Sequence, residues 1–355
     1  MKTKKSLRVG LVGCGHVAQF AHIPALKRIK QAELASVCDV NSAVAQEIAK
    51  RFSIQGFYAS LSEMLQDERL DIVDICTPPD THASLALQAM EAGCHVLVEK
   101  PMALNTQESD QMIKASQNLG LKLGIGHNML LHPLISRAIS MVTNGYIGEL
   151  AGLDIQYLLN RYRGAVARHE HWCHNLHGGI FTNKLPPPIS LAMAFLRNLE
   201  PVAVQSIKYT DREWLIADDL RVILQGDNGM ATITVSTNCP KDIFILDIFG
   251  TKRNLHLHLN NAVMYTCGMA RYGRCSVVFE NFRQGLQILT GTASTALKTA
   301  LRKHHFGHYA LLLGFIESIQ NDTEPPITAE EGRESIRLIE KIISQIENDP
   351  RYMRG

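Results

Sequence analysis

Short apolar runs alternate with helix-like segments over the first 126 residues, and this alternation limits the possible folds more than any other feature of the chain. Strands separated by helices of this length form βαβ units, which need a parallel sheet with helices on both faces. The runs lack regular apolar–polar alternation, as expected for strands that are buried on both faces. The sequence therefore predicts an α/β fold with an N-terminal doubly wound parallel sheet. The predicted strands are residues 8–15, 33–39, 71–77, 95–99 and 122–126.

A different pattern begins after His127. A helix is predicted over 133–143, and helices return near 306–320 and 329–346. The segment "NLHLHLN" alternates apolar and polar residues, which is typical of an antiparallel or mixed sheet. We therefore predict a first domain over residues 1–126 and an α+β domain over 127–355, with an open, mostly antiparallel sheet. Its strand candidates are 150–159, 202–209, 220–226, 230–237, 243–249 and 254–260.

Composition excludes several classes of protein. The net charge of +2 is too small to favour nucleic acid or an acidic membrane as a partner. The basic start could introduce a signal peptide, but glycines interrupt the apolar run behind it, which fits a first strand better. No run approaches the ~18 apolar residues of a membrane span. The eight cysteines include no Cys-x-x-Cys, and Cys38 and Cys76 lie in apolar runs, so reduced thiols in a cytoplasmic protein are expected.

A glycine-rich turn follows the first strand and predicts a dinucleotide site of the Rossmann type. Gly13 permits the tight turn, and Gly15 lets the backbone approach a pyrophosphate. The next helix begins at His16 and Val17, where unpaired N–H groups can face the phosphates. Asp39 ends the second strand and can accept hydrogen bonds from both ribose hydroxyls while repelling a 2′-phosphate. We therefore expect NAD, with NADP less favoured; a tight turn without a ligand is the alternative.

The run "HVLVEKP" places Glu99, Lys100 and Pro101 at the carboxyl end of a buried strand. Ligands of open α/β sheets bind beyond the carboxyl ends of the strands. Lys100 could exchange a proton with a substrate hydroxyl during hydride transfer, and Glu99 could orient it. Proline restricts the preceding lysine to extended geometry. A surface ion pair at a strand end is the simpler alternative.

These motifs together resemble the glucose–fructose oxidoreductase / inositol dehydrogenase / MocA (Gfo/Idh/MocA) family. The likeness covers residues 8 to about 150, including "DIVDICTPPDTH", "GIGHN" and "GYIGEL", and returns in "HHFGHYALLLGFIESIQNDTEPPITAEEG". The resemblance implies an NAD(P)-dependent dehydrogenase of sugars, cyclitols or nucleotide sugars. It implies that Lys100 is catalytic and that Thr77, Pro78 and His82 line the cofactor. We also assign Glu99, Lys100 and Asn128 to the cofactor site.

The resemblance also implies a second domain that covers the active site and often mediates dimers. We therefore expect a small, sugar-like substrate and a homodimer or homotetramer. The segment "FILDIF" supports this expectation, because it is apolar on both faces and an exposed apolar sheet face needs cover.

One family motif is altered in the second domain. The family pattern is Gly-Gly, three residues, Asp, three residues, His, whereas this chain has Asn183 and Pro187 at the last two places. Leu130 likewise stands where the family often has arginine. Proline carries no proton to exchange, so the usual acid–base partner is absent. Lys100 could act alone, or Lys184 or His177 could supply the missing group.

The segment "RHEHWCHNLH" (168–177) concentrates histidines and one cysteine just before this motif. Imidazole and thiolate suit zinc, but the spacing matches no usual zinc pattern, so no metal is predicted. Contact with substrate and a plain polar loop are the two remaining interpretations.

Three functions agree with these observations. The favoured one is an NAD-dependent oxidoreductase that acts on a secondary alcohol of a sugar, cyclitol or nucleotide sugar. The second is an NAD-binding sensor or partner subunit without catalysis, suggested by Asn183 and Pro187. The third is an NAD-using glycosidase. The intact lysine motif and glycine turn favour the enzyme, because acid–base help is worth ~10²–10⁴ in rate and can be relocated.

Overall fold

The computed structural model describes residues 6–268, 274–300 and 307–347, and the chain divides into two compact units. The first unit comprises Met1–Leu131 and His305–Arg337, and the second comprises His132–His304 and Leu338–Gly355. The sequence predicts a single division after residue 126. In the structure a segment from late in the chain belongs to the first unit.

The first unit contains the predicted parallel sheet. All its pairings are parallel, and the strand order is β3-β2-β1-β4-β5-β6, which is the order of a dinucleotide-binding fold. The central strands are buried on both faces, mostly by consecutive apolar residues, as at positions 96–98; the strand Ile72–Ile75 also contains the buried Asp74. The strands are β1 (Leu7–Val12), β2 (Ala32–Cys38), β3 (Gly56–Tyr58), β4 (Ile72–Ile75), β5 (His95–Val98) and β6 (Leu123–Ile125).

Helices connect these strands, and local signals in the sequence set their starts. The side chains of Asn41, Ser60 and Asn105 each accept a backbone N–H in the first turn of the helix that follows. The first connection is irregular, because a π-turn over Ala18–His22 precedes a short α-helix. The helices of this part are α1 (Ile23–Leu26), α2 (Ser42–Phe52), α3 (Leu61–Asp67), α4 (His82–Glu91) and α5 (Thr106–Leu119), with 3₁₀ turns at Pro79–Thr81 and Asn128–Leu131.

The second unit is built on a mixed sheet of seven strands, in the order β13-β12-β11-β7-β10-β9-β8. Only the β7–β10 pairing is parallel, so the predicted open, mostly antiparallel sheet is confirmed. Alternate residues of the predicted "FILDIF" strand are buried (Phe244, Leu246, Ile248), and the others are half-buried. The strands are β7 (Leu150–Asn160), β8 (Glu200–Ile207), β9 (Asp219–Gly226), β10 (Gly229–Cys239), β11 (Ile243–Gly250), β12 (Arg253–His258) and β13 (Val263–Gly268).

The helix predicted over 133–143 is present, whereas several elements after it are not predicted. Among them are the strand β13 and the longest described helix, α10, which spans 27 residues. No described helix combines the length and the apolar character that a membrane span needs. The remaining helices are α6 (Pro133–Thr143), α7 (Gly164–Ala167), α8 (Ile180–Lys184), α9 (Pro186–Met193), α10 (Arg274–Ala300), α11 (His308–Asn321) and α12 (Ala329–Glu347), with a 3₁₀ turn at Trp172–Asn175.

Candidate cofactor and active site

The glycine turn after β1 has the geometry that a dinucleotide loop needs. Gly13 has φ +93°, and a Cβ there would lie 2.8 Å from the backbone of Cys76 and Thr77, so the turn admits no side chain. Its N–H donates to the carbonyl of Cys38 at 2.8 Å, which fixes the loop to β2. A Cβ at Gly15 would meet no atom within 4 Å, so the backbone at Gly15 faces open space. The loop therefore leaves its backbone accessible to a phosphate group.

Asp39 is held in place at the end of β2. One carboxylate oxygen accepts the N–H of Cys14 at 2.9 Å, and the other accepts the N–H of Asn41 at 3.0 Å. The side chain is half-buried, and the following Val40 is 96% exposed. Each oxygen keeps a second lone pair, so the carboxylate can still accept hydroxyl groups. These residues fit a ribose next to the glycine turn.

The helix that follows the turn begins at His16 and contains the π-turn over Ala18–His22. His16 is exposed and lies over the ring of Phe20, with ring centroids 4.4 Å apart. The π-turn inserts an extra residue into the helix and turns His22 fully inward. This local irregularity brings an imidazole under the carboxyl ends of the central strands.

His82 joins the loops that follow β4 and β5. Its ring is buried, and its two nitrogens lie 2.9 Å from the carbonyl oxygens of Thr77 and Pro101. Burial lowers the pKa of His82, and the two carbonyl groups oppose this only partly. The neutral ring then donates to one carbonyl at a time. Thr81 donates its hydroxyl to the Thr77 hydroxyl at 2.8 Å, which orders the same loop.

A buried chain of charged groups leads to Lys100. The imidazole of His22 contacts a carboxylate on each side: its Nδ1 lies 2.8 Å from Asp74, and its Nε2 lies 3.1 Å from Glu99. The second oxygen of Glu99 accepts the backbone N–H of Lys100 at 3.1 Å. Gly126 makes room for Glu99, because a Cβ there would lie 2.8 Å from the carboxylate. We refer to Asp74, His22 and Glu99 as the buried triad.

The triad is ionic at neutral pH. Burial alone would lower the pKa of His22, but the neighbouring Asp74 carboxylate outweighs it and raises this pKa well above 6.5. Burial alone would raise the pKa of Glu99, yet the hydrogen bond and charge of His22, with smaller effects from His308 and Lys100, lower it to about 2. His22 is therefore an imidazolium between two carboxylates, and Glu99 is an anion beside the Lys100 backbone.

Two further histidines of the first unit were missed by the sequence analysis. The ring of His308 lies 5.5 Å from that of His22, and its Nδ1 lies 3.3 Å from the amide of Asn128. His127 is 3% exposed, and neither ring nitrogen has a hydrogen-bond partner among the described residues. Burial lowers the pKa of both histidines to about 4, so both are neutral at pH 7. The motifs "GIGHN" and "HHFGHY" contain the two residues, but only the fold shows that they are buried.

The triad could also be taken for a metal site. His22, Asp74 and Cys76, or His22, Glu99 and His308, hold possible ligand atoms within 4.8 Å of one another. Both nitrogens of His22 are nevertheless at hydrogen-bond distance from carboxylate oxygens, as in an ion pair. The arrangement is that of a charge network.

The second unit holds the other predicted catalytic residues on one short segment. Asn183 and Lys184 belong to α8, and burial lowers the pKa of Lys184. His177 precedes that helix; its ring is 74% exposed and lies 3.2 Å from Glu347. Pro187 lies in the first turn of α9, where the missing N–H of proline is tolerated. Lys100 lies in the first unit, so these residues are distributed over both units.

The histidine-rich segment forms a locally bonded loop. His171 accepts the N–H of Cys173 through Nδ1 at 3.3 Å, and His174 lies 2.8 Å from the carbonyl of Ala165. His169 packs against Trp214, with ring centroids 5.4 Å apart. Each of these rings has a structural contact of its own.

Comparison with known families gives a direct assignment. The family described as "Oxidoreductase family, NAD-binding Rossmann fold" matches residues 7–127. The companion description, "Oxidoreductase family, C-terminal alpha/beta domain", matches residues 139–353. Together these matches include most of the sequence. The chain belongs to the Gfo/Idh/MocA oxidoreductase family. Its first unit is therefore an NAD-binding Rossmann domain, and this domain contains the glycine turn and Asp39.

Individual relatives within the family match over shorter stretches. D-Glucoside 3-dehydrogenase of Escherichia coli is 30% identical over 182 residues, which cover 51% of this chain and 48% of that protein. UDP-N-acetylglucosamine 3-dehydrogenase of Acidithiobacillus ferrooxidans is 40% identical over 129 residues, covering 36% of this chain and 39% of the relative. The chain thus aligns with less than half the length of these two relatives.

A solved structure extends the likeness to the whole fold. The WlbA dehydrogenase of Bordetella pertussis, in complex with NADH and UDP-GlcNAcA, has a TM-score of 0.81 at 22% identity. The match covers 98% of this chain and 97% of that one. At this identity the likeness demonstrates the shared two-domain fold.

Proposed function

We propose that this Gfo/Idh/MocA protein is an NAD-dependent dehydrogenase that oxidises a secondary alcohol of a sugar or nucleotide sugar. The observation that carries the proposal is Lys100, which lies two residues beyond the end of β5 and donates its backbone N–H to Glu99 of the buried, charged triad. Removing the charges of an ion pair from water costs free energy, so a buried charged triad needs a reason to be there. Ionisable groups with perturbed pKa values cluster at active sites, which supports a catalytic role for this region.

The first unit would hold the cofactor through three groups of residues. The backbone of Gly13, Gly15, His16 and Val17 would face the phosphates, and Asp39 would accept the ribose hydroxyls. Thr77, Pro78, His82 and Asn128 would line the remaining part of the site. When bound, NAD supplies the acceptor for a hydride.

The role proposed for Lys100 is proton transfer at the reacting hydroxyl. The lysine amine would take the hydroxyl proton and become an ammonium group, while bound NAD would accept the hydride from the same carbon, so that the alcohol would be oxidised to a ketone. Glu99 positions the lysine by accepting its backbone N–H. Since Glu99 is buried and anionic, we assign it to orienting the lysine rather than to direct contact with the substrate.

The substrate class rests on the relatives. The two aligned enzymes are named for oxidation at carbon 3 of a glucoside and of UDP-N-acetylglucosamine. We propose a pyranose of this kind, free, glycosidic or nucleotide-linked. Asn183 is a candidate hydrogen-bond partner for a hydroxyl group, and Lys184 and His177 are candidates for the missing acid–base residue.

The test is a turnover screen. Purified protein is incubated with NAD and a panel of glucosides, cyclitols and UDP-sugars, and NADH is followed by its absorbance. We expect at least one sugar to give NADH. Lys100→Met should then lower turnover by at least ~10²-fold, with NAD affinity by calorimetry nearly unchanged.

The matched control is Lys114→Met, which removes an exposed lysine of α5 in the same unit and should leave turnover unchanged. NAD binding without NADH formation from any sugar would favour the non-catalytic NAD-binding protein. Release of free sugar from a glycoside without net NADH would favour the glycosidase.

A further inference from the structure

Helix α10 packs on the second sheet with its polar side. Glu280 and Gln287 accept the N–H groups of Gly268 and Thr266, each at 3.1 Å, and Arg283 donates to the carbonyl of Thr266 at 2.9 Å. These bonds satisfy backbone groups of β13, the edge strand of the sheet. The usual orientation, with the apolar face inward, is therefore reversed in this helix.

The opposite side of α10 carries a continuous apolar stripe. Phe279 is 69% exposed, Phe282 71%, Leu286 51% and Leu289 68%. Successive apolar residues of this stripe are three and four positions apart in turn, as in the seam between two paired helices. The same spacing continues through two exposed alanines. We define the outer stripe as these six residues: Phe279, Phe282, Leu286, Leu289, Ala293 and Ala296.

We propose that the outer stripe is an interface between two copies of this chain, in which two α10 helices pair antiparallel around a two-fold axis. An isologous contact of this kind is the commonest arrangement in homodimers. The axis would pass midway between Leu286 and Leu289. Each of these leucines would then oppose the other in the partner copy.

The order of side chains along the stripe favours the antiparallel direction. Both large aromatic residues lie in the first half, and both alanines lie in the second half. In the antiparallel pair Phe279 opposes Ala296 and Phe282 opposes Ala293, so large residues meet small ones. A parallel pair would place phenylalanine against phenylalanine and alanine against alanine, which leaves poorly filled space.

The size of the stripe agrees with a stable dimer. The flanking residues Val278 and Leu297 are 69% and 62% exposed and extend the stripe. Since a fully buried aromatic side chain contributes roughly 150–250 Å², the stripe and these two residues could bury apolar surface on the order of 700 Å² per copy. Stable interfaces bury about 800 Å² on each partner. A membrane surface fits less well, since the only charged residues from 276 to 297 are Glu280 and Arg283, and both are bonded on the inner side.

The oligomeric state of the full chain tests the proposal. Sedimentation velocity at micromolar concentration should show a dimer or a larger even-numbered assembly. Leu286→Glu places a carboxylate against the apolar Leu289 of the partner copy on each side of the axis and should weaken dimerisation by at least ~100-fold. The matched control is Asn281→Glu, which adds the same charge at an exposed position outside the stripe and should leave dimerisation unchanged.

Disulfide cross-linking tests the direction of pairing. The double variant Phe279→Cys/Ala296→Cys should form a dimer under oxidation. Phe279→Cys alone should not exceed the wild-type background, because its counterpart in the partner would lie ~25 Å away at 1.5 Å per residue. Circular dichroism and NAD binding show whether Leu286→Glu is folded. If it is not, the cross-linking result alone tests whether two α10 helices pair.

A monomeric wild-type protein would overturn the proposal, and so would a dimer that Leu286→Glu leaves intact. Cross-linking by the single variant would refute the antiparallel direction. Binding of phosphatidylserine-containing vesicles by the monomer, abolished by Leu286→Glu, would assign the stripe to a membrane instead.

Discussion

The buried triad leads to a quantitative prediction for His22→Gln. Glutamine keeps a donor of similar length but removes the positive charge between Asp74 and Glu99. His22 is the main cause that lowers the pKa of Glu99 from 4.5 to about 2. At about 1.4 kcal/mol per pKa unit, this shift corresponds to ~3 kcal/mol. Removing one partner of a buried ion pair generally costs about 3–5 kcal/mol. We expect the first unit to lose ~3 kcal/mol of unfolding free energy at pH 7.

The unfolding free energy must be measured for the first unit alone, because a chain with two compact units need not unfold in a single transition. Hydrogen exchange of peptides from β1, β4 and β5, followed over a urea series, reports that unit. The matched control is His256→Gln in the second unit. Its Nδ1 lies 2.8 Å from Asp247, the same distance as in the His22–Asp74 pair, but both side chains are about one-fifth exposed. We expect a loss below ~1 kcal/mol for this pair.

The pH dependence of the unfolding free energy provides a second test of the same prediction. A carboxyl group with a lowered pKa contributes stability above its unfolded value of 4.5, and this contribution is lost as the pH falls from 4.5 towards 2. The difference between wild type and His22→Gln should therefore shrink over that range. A double variant, His22→Gln/Glu99→Gln, should recover part of the loss at pH 7, since it removes an uncompensated charge. Equal losses for His22→Gln and His256→Gln at pH 7 would refute the ionic triad.

Three further predictions concern the cofactor turn and the altered motif. Calorimetry should show tighter binding of NAD than of NADP, and Asp39→Ser should narrow the difference by removing the charge that repels a 2′-phosphate; tighter NADP binding by the wild type would contradict this role. Gly13→Ala should lower the melting temperature, since its Cβ would lie 2.8 Å from backbone atoms, whereas Gly15→Ala should preserve the melting temperature of the apoprotein and weaken NAD binding. If no residue replaces the missing histidine, Asn183→Asp/Pro187→His should raise the rate of NADH formation from a sugar found in the screen; an unchanged rate would indicate that Lys100 needs no such partner.

Much of the first unit could be predicted from local sequence. Helix starts at Asn41, Ser60 and Asn105 follow from side-chain caps, which act within three residues and need no tertiary context. The parallel strands follow from short apolar runs between helices, because a strand covered on both faces has apolar residues at most of its positions. Lys100 stands out for the same local reason, as a charged residue at the end of such a run.

Helix α10 is absent from the sequence-based prediction, and its orientation is the reverse of the usual one. Its polar residues bond the edge strand β13, whereas its apolar residues remain outside. Periodicity alone reports that a helix has two faces, but it does not report which face the rest of the protein covers.

The sequence by itself determined the fold class, the glycine turn, Asp39 and the lysine motif, because each depends on residues close together in the chain. Only the tertiary structure decided the surroundings of Lys100. His22 meets Asp74 across 52 residues and Glu99 across 77, and Asn128 meets His308 across 180. Asp74 raises the pKa of His22, and His22 lowers the pKa of Glu99, because the fold buries these groups together away from water. The interaction of charges depends on separation in space and on the local dielectric, and neither can be read from separation along the chain.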